Sequence, residues 1–277
     1  MKRLVSILLA GFVVCAGPVA SAQSYHDIAD GFVETDGFNG VVLVGQGATV
    51  EAVEAFGTAR AAWGVPMTTN TRFELGSMSK WFAAIVVLKL VDQGKLDLDA
   101  PISRYLPDYR ADTGARLTLR HLMSHSSGLP NDVLKARQAD PSSRGVELSQ
   151  VEAVRRYASG TLTFEPGTAW DYSHSNWLVV KAVVERVSGK GYATLVDQFL
   201  VKPLKLKDTG IFHGDSSQVK SMAAGYAALA PEPKPKPNPM PDFMAMAGGF
   251  YASAPDLLKL MDKVLDGHVL SPRRGEH

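Results

Sequence analysis

Phe73-Glu74-Leu75-Gly76-Ser77-Met78-Ser79-Lys80 runs straight into an apolar stretch from Trp81 to Val91, and the reading of this segment decides the fold. Ten of the eleven residues from Trp81 to Val91 are apolar, with Lys89 the exception, and Gly94 supplies a stop. A helix apolar on every side belongs in the core of a large domain. It is too short for a bilayer, which needs roughly 20 such residues. Residues three apart share a helix face, so a helix beginning at the motif projects the Ser77 hydroxyl and the Lys80 amine into one cleft. A serine hydroxyl is inert near neutral pH unless a neighbour takes its proton, and a lysine can do so only if burial or nearby cations lower its pKa. Ser-x-x-Lys needs only two common residues and turns up about once by chance in a chain of this size. The glycine before it and the buried helix after it add weight to a functional reading, and at this point both readings stand.

Lys2 and Arg3, the apolar run Leu4 to Ala16, Gly17-Pro18 and then Ala20-Ser21-Ala22 have the three-part form of a secretory signal peptide, residues 1–22. A periplasmic or secreted protein is therefore expected, without a membrane anchor after cleavage. Val14 before Cys15 argues against a lipid anchor there. Cys15 is the only cysteine, so the expected mature chain forms no disulfide and must rely on its core. From Gln23 onward there are 27 basic residues (29 less Lys2 and Arg3) and 28 acidic ones, a net charge of −1. That balance gives no footing for a nucleic-acid or anionic-membrane partner. The oligomeric state is left open.

Further along, Val41 to Val44 and Val50 to Phe56 flank Gly45-Gln46-Gly47 and predict a β-hairpin. Thr118 is a candidate cap for a helix through Met123, with Gly128-Leu129-Pro130 a stop beyond it. Ser149 to Tyr157 has helical periodicity, Phe164-Glu165-Pro166-Gly167 reads as a turn, and a helix is expected from about Trp177 to Val187, closed by Gly189. Ser253, with Asp256 three residues on, predicts a capped helix to about Leu265. Proline at every second position from Pro231 to Pro241 forbids a helix or central strand and predicts an extended surface loop. His121 and His125 have the i, i+4 spacing of zinc ligands, but no glutamate follows His121, and the structural reading is preferred. No metal and no cofactor are expected.

Taken together, Phe73 to Lys80, Leu90-Val91-Asp92-Gln93-Gly94-Lys95-Leu96, Arg120 to Pro130, Phe164-Glu165-Pro166-Gly167 with Tyr172-Ser173, and Gly248-Gly249 resemble the serine β-lactamase and penicillin-binding-protein-like hydrolases. The likeness is greatest to class C β-lactamases and their esterase and D-alanyl-peptidase relatives, and it runs from about Phe38 to Leu270. It implies an α+β fold, an antiparallel sheet flanked by helices plus a mainly helical part. Residues 23–277 would form one such domain, with its α/β part at 23–97 and 242–277 and its mainly helical part at 98–241. It implies that Ser77 attacks an acyl carbonyl, Lys80 takes its proton, and Tyr172 relays protons to the leaving group and activates the deacylating water. Lysine amines and phenols both titrate near 10, so such a pair works only as a coupled unit. The Ser77 N–H, at a helix start, would donate to the oxyanion.

Two departures from the family pattern shape the expected function. The third residue of the tyrosine motif, usually an Asn that contacts the substrate amide, is here His174, a candidate substrate-binding residue. An imidazole cannot copy an amide's paired donor and acceptor. The family's strand with Lys-Thr-Gly or His-x-Gly has no counterpart, since Lys207-Asp208-Thr209-Gly210 carries an inserted residue and reads as a loop. A C-terminal truncation is expected on that account. The resemblance thus implies an exported serine hydrolase acting through an acyl-enzyme on a β-lactam, a D-alanyl peptide or a carboxylic ester. The alternative is a truncated, catalytically silent relative that binds acyl ligands or a partner.

Overall fold

The computed structural model describes residues 25–271. The expected signal peptide, Cys15 and the Arg273 to His277 tail lie outside the described residues. An amphipathic opening helix, α1 (Tyr25–Asp36), precedes the hairpin β1 (Gly40–Gln46) and β2 (Thr49–Phe56). The two strands pair antiparallel from Gly40↔Phe56 to Gln46↔Thr49, with an irregularity at Val44/Gly45. At Gly45 a Cβ would sit 2.7 Å from the Thr49 carbonyl oxygen and 2.8 Å from Leu258, so only glycine lets the strand bend there.

A second sheet forms around the site. Its strands are β3 (Phe73–Glu74), β4 (Gly210–Ile211) and the central β5 (Phe250–Ala252), antiparallel throughout, with Phe73 opposite Ala252 and Ile211 opposite Phe250. Among the described residues the expected antiparallel sheet is thus split into separate pieces, with two further two-stranded ladders besides these.

After β3 the chain makes one 3-10 turn, Gly76–Met78, and enters α2 (Ser79–Asp92). Phe82, Val86, Val87 and Leu90 are wholly buried, each stabilising the fold by about 1.5–3 kcal/mol, and this burial fixes the helix in place. Phe82 stacks on Phe250 at 4.1 Å, joining α2 to the central strand. The caps expected at Thr118 and Ser253 are made, and Ser149 supplies a further one. Thr118 accepts from the His121 amide at α3 (Leu119–Met123), Ser149 from the Glu152 amide at α5 (Gln150–Tyr157), and Ser253 from the Asp256 amide at α8 (Ala254–Leu265). Between them α4 (Asp132–Ala139) is capped by Asn131. The helix α6 (Ser175–Ser188) ends at Gly189 in the left-handed region, φ 67°. The short α7 (Ala245–Gly248) leads into β5.

Two local readings gain detail. His125 does not share a helix with His121: α3 stops at Met123 and His125 takes a left-handed φ of 60°, which breaks the i, i+4 geometry that the zinc spacing requires. Within the proline-rich stretch, Lys234–Pro235 pairs with Tyr226–Ala228 in a small exposed ladder. An edge position is where a strand accepts proline, because the missing N–H then faces solvent. Lys207 to Thr209 is loop, and Gly210 opens β4.

Candidate active site

Three segments that are distant in sequence meet at the start of α2. Gly76 has φ 51°, a left-handed turn that leaves Ser77 exposed on the 3-10 turn while Ser79 and Lys80 go inward. Ser79, wholly buried, accepts from the Phe250 amide at 3.0 Å, and the Phe250 carbonyl accepts from the Leu75 amide at 2.9 Å. These bonds lock the entry of α2 to β5. At Gly249 a Cβ would lie 2.9 Å from the Phe212 carbonyl oxygen, so the chain here can pack this closely only as glycine.

The lock brings the carbonyl of Ala247 to 2.7 Å from Lys80 Nζ, which also lies 3.1 Å from Ser77 Oγ. Lys80 is only 7% exposed, and burial lowers its amine from the usual lysine range to about 8. Among the described residues no carboxylate makes an ion pair with it, so no opposite charge offsets that desolvation. The Tyr172 hydroxyl completes the cluster at 2.5 Å from Ser77 Oγ, and Lys80 Nζ lies 5.0 Å from the centre of the Tyr172 ring. Ser77, Lys80 and Tyr172, predicted as a set, are therefore brought together. A hydroxyl held between a phenol and a depressed amine can lose its proton at modest cost.

His174 stands beside this cluster, its ring edge-on to Tyr172 at 5.1 Å. Asn131 holds it. The Asn131 side-chain Oδ1 accepts from the His174 amide at 3.2 Å, and its Nδ2 donates to the Tyr172 carbonyl at 3.1 Å and lies 3.2 Å from His174 Nδ1. Burial, then the charges of Lys80 and Arg137, lowers the imidazole to about 4, so it is neutral near pH 7. Neither Asn131 nor the Ala247 carbonyl was identifiable in the sequence. Asn131 follows the Gly128-Leu129-Pro130 stop with no motif of its own, and a carbonyl belongs to every residue. Next to Ser77, Met78 is 50% exposed, and Trp170, its ring centre 6.5 Å from that of Tyr172, is 67% exposed. Among the described residues no group of three or more His, Cys, Asp or Glu side chains is placed to hold a metal ion, and no helix is long and apolar enough to cross a membrane.

Comparison with known proteins places the chain among relatives. The chain is 32% identical over 254 residues to esterase EstB of Burkholderia gladioli, covering 81% of this chain and 64% of that protein. It is 27% identical to the teichoic acid D-alanine hydrolase of Staphylococcus aureus, covering 88% of this chain and 58% of the relative. The chain thus spans less than two thirds of the length of these relatives. The fold overlays the penicillin-binding protein from Bacillus halodurans with a TM-score of 0.75 at 25% identity, covering 87% of this chain and 73% of that one. A family model described as Beta-lactamase matches residues 26–277. A match that begins in the first helix and continues through both sheets and the serine, lysine and tyrosine segments makes this chain a member of the Beta-lactamase family.

Proposed function

We propose that the protein is a serine hydrolase working through an acyl-enzyme on Ser77, with carboxylic esters as its preferred substrates. The observation that carries this reading is Ser77 Oγ lying between Tyr172 at 2.5 Å and a buried Lys80 at 3.1 Å. Neutral Lys80 accepts the Ser77 proton as Oγ attacks the acyl carbonyl. Tyr172 then passes a proton to the departing oxygen or nitrogen, and the same pair activates water to release the acyl group. The Ser77 amide donates to the oxyanion, aided by the positive end of α2.

The preference for esters rests on His174. Its Nδ1 is already occupied by Asn131, which leaves little with which to pair both faces of a substrate amide. An ester needs no such pairing, and the exposed apolar side chains of Met78 and Trp170 suit its hydrocarbon part. The leader-like residues 1–22 support export to the periplasm or beyond, and the division into an α/β part (23–97, 242–277) and a mainly helical part (98–241) belongs to the same proposal.

Incubation with a fluorescent penicillin or a fluorophosphonate, followed by mapping of the adduct by mass spectrometry, tests the reaction. The adduct is expected on Ser77, and labelling elsewhere in an active preparation overturns the assignment. An unlabelled, inactive protein that still binds esters would favour a silent acyl-binding relative. For specificity, His174→Asn is expected to shift the rate ratio of a chromogenic cephalosporin to a short nitrophenyl ester toward the cephalosporin. An unchanged ratio removes His174 from substrate choice.

A further inference from the structure

We infer that His125 is a positioning residue for Tyr172, a fixed neutral acceptor that clamps the tyrosine segment from both sides. This rests on the reading of Tyr172 as the proton relay, but the clamp itself is built from contacts that do not depend on it. The His125 carbonyl accepts from the Asp171 amide at 2.9 Å, and His125 Nδ1 accepts from the Ser173 amide at 3.1 Å. The residue before Tyr172 and the residue after it are thus both tied to one histidine. The imidazole also lies against the phenol, ring centres 4.5 Å apart. To make all three contacts, His125 takes φ 60°, a conformation uncommon for a side-chain-bearing residue and kept only where surroundings hold it.

The ring's protonation state follows from its partners. The Ser173 amide can only donate, and Asn176 Nδ2, at 3.3 Å from the same Nδ1, is held by Ser127 Oγ on its Oδ1 at 2.7 Å. On the other side Trp177 Nε1 points at Nε2 at 3.4 Å, also as a donor. A neutral imidazole has one acceptor nitrogen and an imidazolium has none. Two donors converge on Nδ1, which assigns the lone pair there and the hydrogen to Nε2, so the longer Trp177 approach is a ring contact and not a hydrogen bond in this tautomer. The charged groups that act on the ring are Lys80 from α2, which opposes its protonation, and Asp171 from the tyrosine segment, which favours it; the neighbouring rings are Trp170, Tyr172 and Trp177. Burial outweighs both charges and takes the imidazole down to about 4. His125 therefore acts at working pH as an acceptor and exchanges no proton. The carboxylate or amide of another residue could not provide the stacking face, and a phenylalanine could not provide the acceptor.

Three variants separate the contributions: His125→Asn, which puts an acceptor near the Nδ1 position and tolerates left-handed backbone, His125→Phe, which keeps a ring and loses the acceptor, and Tyr172→Phe as the reference for a lost relay. Turnover of a short nitrophenyl ester is measured per fluorophosphonate-labelled site, so that unfolded protein does not count. His125→Phe is expected to lose about tenfold or more in kcat with KM within about twofold, the scale set by one lost buried bond and a displaced relay. Its acid limb in kcat/KM should also move upward from about 8, because a displaced tyrosine admits water to Lys80. His125→Asn should keep most of the turnover and an unshifted limb. Hydrogen exchange at the Ser173 amide reports the clamp directly: protected in wild type and His125→Asn, fast in His125→Phe.

If His125→Phe has wild-type turnover per labelled site, an unmoved limb and a protected Ser173 amide, His125 does not position Tyr172. If wild type and all variants leave Ser77 unlabelled while amide exchange behaves as expected, the clamp stands and the hydrolase reading falls.

Discussion

Of the single residues, Lys80 is the one on which the proposed mechanism rests most heavily. Its amine is depressed to about 8 by burial, so below that pH it holds the proton and cannot accept another from Ser77. The rate of ester turnover is therefore expected to rise with pH through about 8, and Lys80→Arg, whose guanidinium stays charged, should lose on the order of a hundredfold or more. A rate independent of pH between 6 and 9 would remove Lys80 as the base. His125 and His174 make a second, opposite-facing statement about pH. Both are held near 4 in the fold, against about 6.5 for a histidine in an unfolded chain. Between those values the unfolded chain binds more protons, so stability rises with pH from 4 to 6.5 and is lost as pH falls through that window. Thermal unfolding across this range should show a falling midpoint on acidification, with a shallower slope in His174→Asn.

At the scale of elements, the site is held by close approaches that a sequence pattern does not display. Gly128, at φ 74°, lies where a Cβ would stand 2.2 Å from the Phe164 carbonyl oxygen. The Thr163 amide donates to the Gly128 carbonyl at 2.8 Å, and the Gly167 amide to the Ser126 carbonyl at 2.8 Å, joining the His125 loop to the turn before Tyr172. Gly128→Ala combines a strained φ with a clash against backbone, and is expected to lose more than about 2 kcal/mol in urea unfolding. A different kind of tie is Lys181 on α6, 1% exposed and paired with Glu185 at 2.9 Å and Asp242 at 2.8 Å. It fastens α6 to the turn that leads into α7 and the Ala247 carbonyl. Lys181→Met should cost about 1–3 kcal/mol, less than a fully buried pair because the Asp242 side chain is 60% exposed and water can take over that partner.

Across the whole molecule the core is continuous from α2 through α6 to α7 and β5, whereas the β1–β2 hairpin stands apart from the sheet at the site. Among the described residues β1 pairs with β2 alone. Beside it an apolar groove of about 280 Å³ is lined by Phe38, Val41, Phe73, Leu75, Ala252 and Leu257, among others. An unpaired strand edge next to apolar surface favours association between chains. Sedimentation of the chain is expected to show concentration-dependent self-association, reduced by Val41→Lys. A monomer at all concentrations would show that this groove is well covered in solution.

How much of this was legible in the sequence follows from the range of each interaction. The apolar run after Lys80 and the caps at Thr118, Ser149 and Ser253 depend on residues a few positions apart, so local pattern alone places α2, α3, α5 and α8. Gly45 and Gly47 likewise mark the hairpin. The pairing of Ser77 with Lys80 is legible for the same reason, being one helical turn. Tyr172 is 95 residues from Ser77, and only the resemblance of its segment to a known family singled it out. No local signal names Asn131, His125 or the Ala247 carbonyl as its neighbours. Tertiary structure decided that Lys80 loses its water, because desolvation is the work of every group packed around it, and those groups include Tyr172 and Ala247 from distant parts of the chain.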